Sequence, residues 1–559
     1  MGSELNRGLC GLLFVALGCA GGSGGDDGTA AGSTSTSGTT GPGGGSSEDG
    51  SGSDGAVDGT TSSSDDTTGG DPPVTPSGMP VGIPEPSFGY LLDTDLPPTV
   101  FVDNTNPSCD NAGGSEDAPL CDLFAGGSAA SFEAGAVVAI SGGPYVIDGD
   151  RSLTFGGTEA APAIVKGIGD TKILFDAQGN RADFDYGGSY GVLENIEFFD
   201  NTRHGIASDS DHLVFRAIEI HNPKGAFIDF NPVVAVGGQD ILIYESMIYD
   251  NRRMNDTDTH GINAGSGSAN IWILDNELYN NNGDSFQGCH ECFASPPHHV
   301  YIGRNVMHED RENAVDLKTI HDVVVSENLM YGYSGSGTSS GDAMVIGSNG
   351  YVEATGQGPR NVWVLNNEFR DSATGIRIEG VQDAWVIGNV FQSLSTGLQI
   401  DDKEYRDIVI AGNVMDGLDA GVFSWNGSCS AESIVVQNNL VTNVAGHHFE
   451  FADCPNLTLA NNLMWNAGGA ISVRVAGPPH TDVASLNGEA FASDNLQADP
   501  NYVPDTLQPA ADSPAVDAGV DLEPYDLAVE AAYGGEAHRD VEGMPRPAGA
   551  VSDIGAYEQ

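Results

Sequence analysis

One short pattern governs most of this 559-residue chain: an apolar strand, an asparagine, then apolar-x-apolar, as in LENIEF, LDNELY, GRNVMH, SENLMY, NNEF, GNVF, GNVM, NNLV and NNLM. The asparagines are Asn195, Asn276, Asn305, Asn328, Asn367, Asn389, Asn413, Asn439 and Asn462, with Ala217 and Ser246 in the same phase. Consecutive spacings are 22, 29, 30, 29, 23, 39, 22, 24, 26 and 23 residues. A basal unit of about 22 residues, built from short alternating strands without a helix, predicts an all-β chain wound as a right-handed parallel β-helix. Successive coils of such a solenoid stack about 4.8 Å apart. The asparagines then form an amide ladder inside one corner, each satisfying its neighbours' backbone or side-chain groups. That is structural work, so they are not site candidates.

The repeat sets the boundaries. Residues 97–490 are assigned to the β-helix, and the Pro- and Asp-rich residues 491–559 to a segment that caps the last coil, whose open edge would otherwise invite pairing between chains. Residues 20–80 are almost wholly Gly, Ser, Thr, Asp and Pro; they cannot bury a core and are expected to be a disordered tether. Residues 1–19 read as a signal peptide, with GLLFVALG as its apolar centre. The ending ALGCA resembles a lipoprotein signal, in which Cys19 becomes the lipidated first residue; a plain secretory signal is the alternative. No other apolar run approaches the roughly 20 residues needed to span a bilayer. The expectation is therefore a monomer at a bacterial cell surface, as an outer-membrane lipoprotein or a secreted protein, touching the membrane only through the lipid.

Cysteine usage agrees with an oxidising compartment. Cys109 and Cys121 flank a short loop and are expected to pair. Cys429 and Cys454 lie ten and eight residues before Asn439 and Asn462, nearly in phase on adjacent coils, and are expected to bridge. Cys289 and Cys292 form a C-x-x-C that reads as a small-loop disulfide. With His298 and His299 it leaves zinc open as an alternative.

A formal charge of −58 excludes a nucleic-acid partner, since a polyanion needs a basic surface. It also opposes any acidic polymer unless a cation intervenes. Only five lysines are present, and one of them, Lys318, stands two residues after Asp316 in RENAVDLKTI. On a strand, Val315 and Leu317 point one way, and Asp316 and Lys318 the other. Spacings of 29, 30 and 39 place enlarged loops between residues 224 and 360, and insertions in a solenoid gather on one face. Alignment on the repeat puts His260, Asp284 and Asp342 in one column where strands begin. Asn263, Gln287 and Asp316 form a second column facing outward, with Arg377 further along. Loop acids Asp256, Asp258, Asp310 and Glu312 lie nearby. Carboxylates gathered beside a lysine suit oxygen-ligated Ca²⁺ next to a base rather than zinc held by nitrogen and sulfur. A cation there neutralises a uronate carboxylate and makes its C5 proton abstractable; it also disfavours the neighbouring ammonium, so the lysine pKa is expected to fall.

Several stretches resemble extracellular right-handed β-helix proteins of the pectate-lyase-like superfamily: NTNPSCDNAGGSEDAPLCDLFAGG with FEAGAVVAISGGPY, then GGTEAAPAIVKGIGD, and SPAVDAG with DIGAYEQ near the end. The order Asp258 or His260, NNNGDSF with Asp284, and AVDLK with Lys318 is similar to lysine-base pectate lyases whose Ca²⁺ is held by aspartates. The resemblance implies Asp284 as a Ca²⁺ ligand, Asp258 as a second, and Lys318 as the base, with His260 where an acid is usual. It implies a lyase acting on an acidic polysaccharide by β-elimination. Two alternatives stay open: a glycoside hydrolase using paired carboxylates, and a glycan-binding or adhesive solenoid without catalysis.

Overall fold

The computed structural model describes residues 78–222, 232–251, 258–336, 339–347, 358–401, 406–424 and 432–559. The signal peptide with Cys19, the tether up to residue 77, Asp256 and Cys429 lie outside them.

Strand follows strand in threes. A representative coil contributes Ile262–Ala264, Ala269–Leu274 and Glu277–Tyr279 to three faces, and each strand pairs in parallel with its counterparts one coil before and one coil after. The chain is a parallel β-helix, as the repeat predicts. The strand Val100–Asp103 lies in its first coil and Leu496–Gln497 in its last, so stacking continues past residue 490. Inward side chains register one above another. On the first face the column Ile206, Val234, Ile262, Phe286, Val315, Met344, Ile376 and Leu398 is at most 1% exposed throughout. At roughly 1.5–3 kcal/mol for each large side chain removed from water, such columns supply the main drive for stacking.

The asparagine ladder occupies the corner between the second and third faces. From Asn276 through Asn305, Asn328, Asn367, Asn389, Asn413, Asn439 and Asn462 to Asn495, each Nδ2 donates to the next Oδ1 at 2.9–3.0 Å. Each of those oxygens also accepts the preceding asparagine's amide N–H. Ser246 heads the row through its own amide. Asn195 and Ala217 are not in it. They sit one residue earlier, at φ 57° and 52°, in the left-handed position that turns the corner, like Glu245, Asp275 and Arg304. Asparagine tolerates that conformation as well as the ladder position, which is why Asn195 mimics a rung.

A second row runs along the corner between the third and first faces: Asn222 donates to Asn251, Asn251 to Asn281, and Asn281 to Asp310, at 2.6, 2.9 and 3.0 Å. The sequence carries it too, at spacings of 29, 30 and 29, hidden among loop asparagines.

The outer side of the second face is apolar and covered. Residues 78–95 run across it against the direction of stacking: Trp272 donates to Pro84 O at 2.9 Å, Arg216 to Thr94 Oγ1 at 2.7 Å, and Arg304 to Gly78 O at 2.7 Å. Helix α1 (Glu523–Tyr533) covers the neighbouring coils near Trp363, and Gly82 N–H donates to Glu536 O at 2.7 Å, so the strap and the C-terminal segment meet. Ala515, Ile554 and Ala556 pack on Val390, Val414, Leu440 and Leu463 of the third face. The C-terminal segment, expected over the end of the last coil, thus lies back along the flanks. Among the described residues no helix is long and apolar enough to cross a membrane.

Candidate functional site on the first face

The first face begins, on each coil, after a turn from the second asparagine row. The register carries Asn263 onto Gln287, Gln287 onto Asp316, Asp316 onto Val345 and Val345 onto Arg377. That is the outward column the alternation predicts. Two residues before the inward Ile262, Phe286, Val315 and Met344 lie His260, Asp284, Asn313 and Asp342, one per coil.

His260 and Asp284 are 3% and 0% exposed, with His260 Nδ1 2.9 Å from Asp284 Oδ2. Burial works against the imidazolium, but Asp284 outweighs it and the His260 pKa is raised. The Asp284 amide N–H donates to that nitrogen at 3.0 Å when the ring is neutral there, and the ring donates to the carboxylate when it is protonated. Asp284 Oδ1 accepts the Asn313 amide at 3.0 Å, and Oδ2 accepts from Gln287 at 3.2 Å. Glu312 completes a group whose donor atoms, with those of His260 and Asp284, all lie within 4.8 Å of one another.

Asp316 and Lys318 leave the same strand edge side by side, Nζ against Oδ2. Asp316 points outward from the coil yet is only 5% exposed. Burial, with the charge of Asp284, lifts its carboxyl to about 7 against the pull of Lys318; its other oxygen has no hydrogen-bond partner. For Lys318, burial opposes the ammonium, but Asp316 and Asp284 prevail and the pKa is raised. This is the shift that the neighbouring carboxylates alone impose; the expected fall is tied to a bound cation. The carboxylate two residues away is closer than anything that would expel the proton.

The remaining candidates are elsewhere. Arg377 is engaged by Glu379 at 2.8 Å, Asp401 at 2.9 Å and Asp342 at 3.6 Å. Asp342 therefore belongs with Arg377, not with His260. Asp258 pairs with Arg311 at 3.0 Å. Asp310 faces inward as the last member of the second asparagine row, accepting from Asn281 and Ser285, with Tyr333 Oη at 3.3 Å. It is corrected from loop ligand to core acid, and burial raises its carboxyl to about 8.

That shift has a measurable consequence. The unfolded carboxyl ionises near its ordinary value of about 3.9, while the buried one stays protonated to about 8. Between those values unfolding releases a proton, so stability falls as pH rises, by up to about 1.4 kcal/mol per pH unit. Asp310→Asn extends the amide row and is expected to remove that fall. Thermal denaturation should show the variant melting higher than the parent at about pH 9, with the gap closing as pH falls to about 3.

Cys109–Cys121 and Cys289–Cys292 are disulfides, which closes the zinc alternative at the C-x-x-C. His298 and His299 instead face each other, Nδ1 to Nδ1 at 2.8 Å. Cys454 is disulfide-bonded; Cys429, its expected partner, is outside the described residues.

A calcium site needs six to eight oxygens. Among the described residues the group at His260 offers two carboxylates and an imidazole, with Asp258 and Asp310 engaged as above. These side chains alone supply only part of a calcium shell, the rest of which would fall to waters or further carboxylates.

Comparison with known proteins adds the following. The model of one family, described as periplasmic copper-binding protein (NosD), matches residues 336–485. No curated protein matches the chain. Solved structures similar to it include the pectate lyase Pel9A, at 14% identity and TM-score 0.39, covering 83% of this chain and 98% of that one. The A-module of the Azotobacter vinelandii mannuronan C-5 epimerase AlgE6 is similar at 12% identity and TM-score 0.38, covering 63% and 91%. The PL6 family polysaccharide lyase Pedsa3628 from Pseudopedobacter saltans is similar at 13% and 0.39, covering 66% and 92%.

Proposed function

We propose that this is a polysaccharide-active protein that cleaves an acidic, uronate-containing polymer by β-elimination, with Lys318 as the base. The reading is supported by one observation above the rest: Lys318 and Asp316 stand together on the outer side of the first face, within the field of the buried Asp284. Asn263 and Gln287 lie in the same outward column, where amides can hydrogen-bond sugar hydroxyls. The C5 proton of a uronate is too weak an acid while its carboxylate carries full charge, so positive charge must stand beside that carboxylate. His260 with Asp284 and Glu312 is net negative by itself, so that charge would have to come from a bound cation. Lys318, as the neutral amine, takes the C5 proton. The C5–H electron pair becomes the C4=C5 double bond, and the C4–O4 bond breaks with its pair leaving on oxygen.

A panel of pectate, alginate and glycosaminoglycans, followed by ultraviolet absorbance of the unsaturated uronate end, tests the reading. Absorbance growing with reducing ends supports elimination; reducing ends alone identify a hydrolase, and neither identifies a binding protein.

Asp316 tunes the base. Because it raises the Lys318 pKa, the rate is expected to climb on the alkaline side as the neutral amine forms. Asp316→Asn removes that hold, and the alkaline limb of the pH–rate profile should move down by about one unit or more. A limb that stays in place would show that the pair is only structural.

A further inference from the structure

The C-x-x-C motif at Cys289–Cys292 takes no part in the chemistry above, yet it stands beside Lys318. Gln287 is in register with Asp316, and the pairing runs one step further. Gly288 N–H donates to Asp316 O at 2.8 Å, and Thr319 N–H to Cys289 O at 3.0 Å. Cys289 is thus the neighbour of Lys318 on the preceding coil, in the same outward phase. To pass from the first face to the second, the coil of Lys318 uses three residues, 318–320, and the coil of Asn263 four, 265–268. The coil between them uses ten, 288–297. Turning that corner does not need the extra length. The added residues form a loop with both feet on the coil of Lys318, since Pro297 O accepts the His321 amide at 3.0 Å. Ser295 ties the loop to the coil before, its O accepting from the Gly267 amide at 2.8 Å and from Ser266 Oγ at 3.2 Å. Within the loop the disulfide closes a ring of four residues, with His290 and Glu291 exposed at its tip. The His290 ring lies in the field of the groove: partial desolvation lowers its pKa, and the charges of Lys318 and His260 lower it further against Glu291. A neutral imidazole there offers one N–H donor and one acceptor, a pair that suits sugar hydroxyls. One coil advances about 4.8 Å, close to the length of one sugar unit in an extended chain. A polymer lying along the first face with one unit at Lys318 therefore sets its next unit beside this loop.

We infer that His290 contacts the substrate, hydrogen-bonding the sugar next to the one that Lys318 attacks, and that the Cys289–Cys292 disulfide positions it there. The inference rests on the reading of the first face as the polymer's groove. It adds a residue that acts in binding and specificity rather than in proton transfer.

Binding of sodium polygalacturonate and sodium alginate is measured by retardation of the full-length protein in native gels containing the polymer. The Lys318→Ala background keeps the polymer intact, and kcat and KM are measured with Lys318 present. His290→Ala should weaken binding and raise KM by about tenfold, the worth of one good hydrogen bond, with kcat within about twofold of the parent. His290→Gln, which keeps a donor and an acceptor, should recover most of the affinity. Cys289→Ser/Cys292→Ser should weaken binding to a similar degree. Adding His290→Ala to that pair should then cost nothing more, because the disulfide acts through His290. Binding and KM that stay within about twofold in His290→Ala overturn the inference, while elimination stands if unsaturated ends still form. Polymer binding that depends on His290 but yields no unsaturated ends upholds the inference and sinks the elimination reading. A loss in kcat alone, losses that add in full, or binding of neither polymer also overturn the inference.

Discussion

Replacing Lys318 by alanine is expected to lower the rate of elimination by about 10²- to 10⁴-fold, the range over which a positioned general base acts. The fold should survive. Lys318 lies outside the coil, its side chain 21% exposed, and it props up no backbone group. What the variant loses besides the amine is Asp316's counter-charge, leaving a buried carboxyl already lifted to about 7 free to take up a proton. Far-ultraviolet circular dichroism and the melting temperature should therefore stay close to the parent's while the absorbance of unsaturated product disappears. Retention of more than about a tenth of the parent's rate would remove Lys318 from the chemistry.

The largest stability effect is expected in the amide ladder. Asn367 accepts from the Asn328 backbone and side chain through Oδ1, and donates through Nδ2 to Val325 O, Leu365 O and Asn389 Oδ1, all at 2.9–3.1 Å and at 0% exposure. Alanine there strands partners on three coils beyond the reach of water. At about 1–3 kcal/mol for each buried group left unsatisfied, Asn367→Ala should cost about 4 kcal/mol or more. Asn195→Ala is the comparison: it removes bonds to Gly167 O at 3.1 Å and Gly169 O at 3.4 Å at the solvent-facing edge of the coil and should cost only about 1 kcal/mol. Denaturant titration of both variants checks the ranking, and equal losses would mean that the ladder adds nothing beyond ordinary hydrogen bonding.

The contrast between these asparagines shows what the sequence carries and what it withholds. The ladder is legible because each rung needs the same amide at the same place on every coil, so geometry imposes a period on the letters. Alternation likewise predicts Asp316 beside Lys318, since outward and inward positions follow from the pleat alone. Asp310 defeats the same reasoning. An acid that ends an amide row and an acid in a solvated loop are the same letter with the same neighbours; only the inward turn of the chain after His308 separates them. The direction of the Lys318 shift is equally hidden, for it depends on the depth at which the pair is buried. The strap of residues 78–95 has no period at all, because an irregular segment laid across many coils meets a different residue on each.

That strap acts as a ruler. Its attachment points pass from Lys166 at Thr94 to Glu327 at Val81, so a length of extended peptide is matched to a fixed count of coils. Solenoids ordinarily gain or lose repeats easily. Here one added coil between those points would lengthen the barrel by about 4.8 Å and put every later attachment out of step, unless one or two residues were added to the strap as well. Growth by duplication in this stretch is expected only in such paired changes, whereas loops on the first face can lengthen independently.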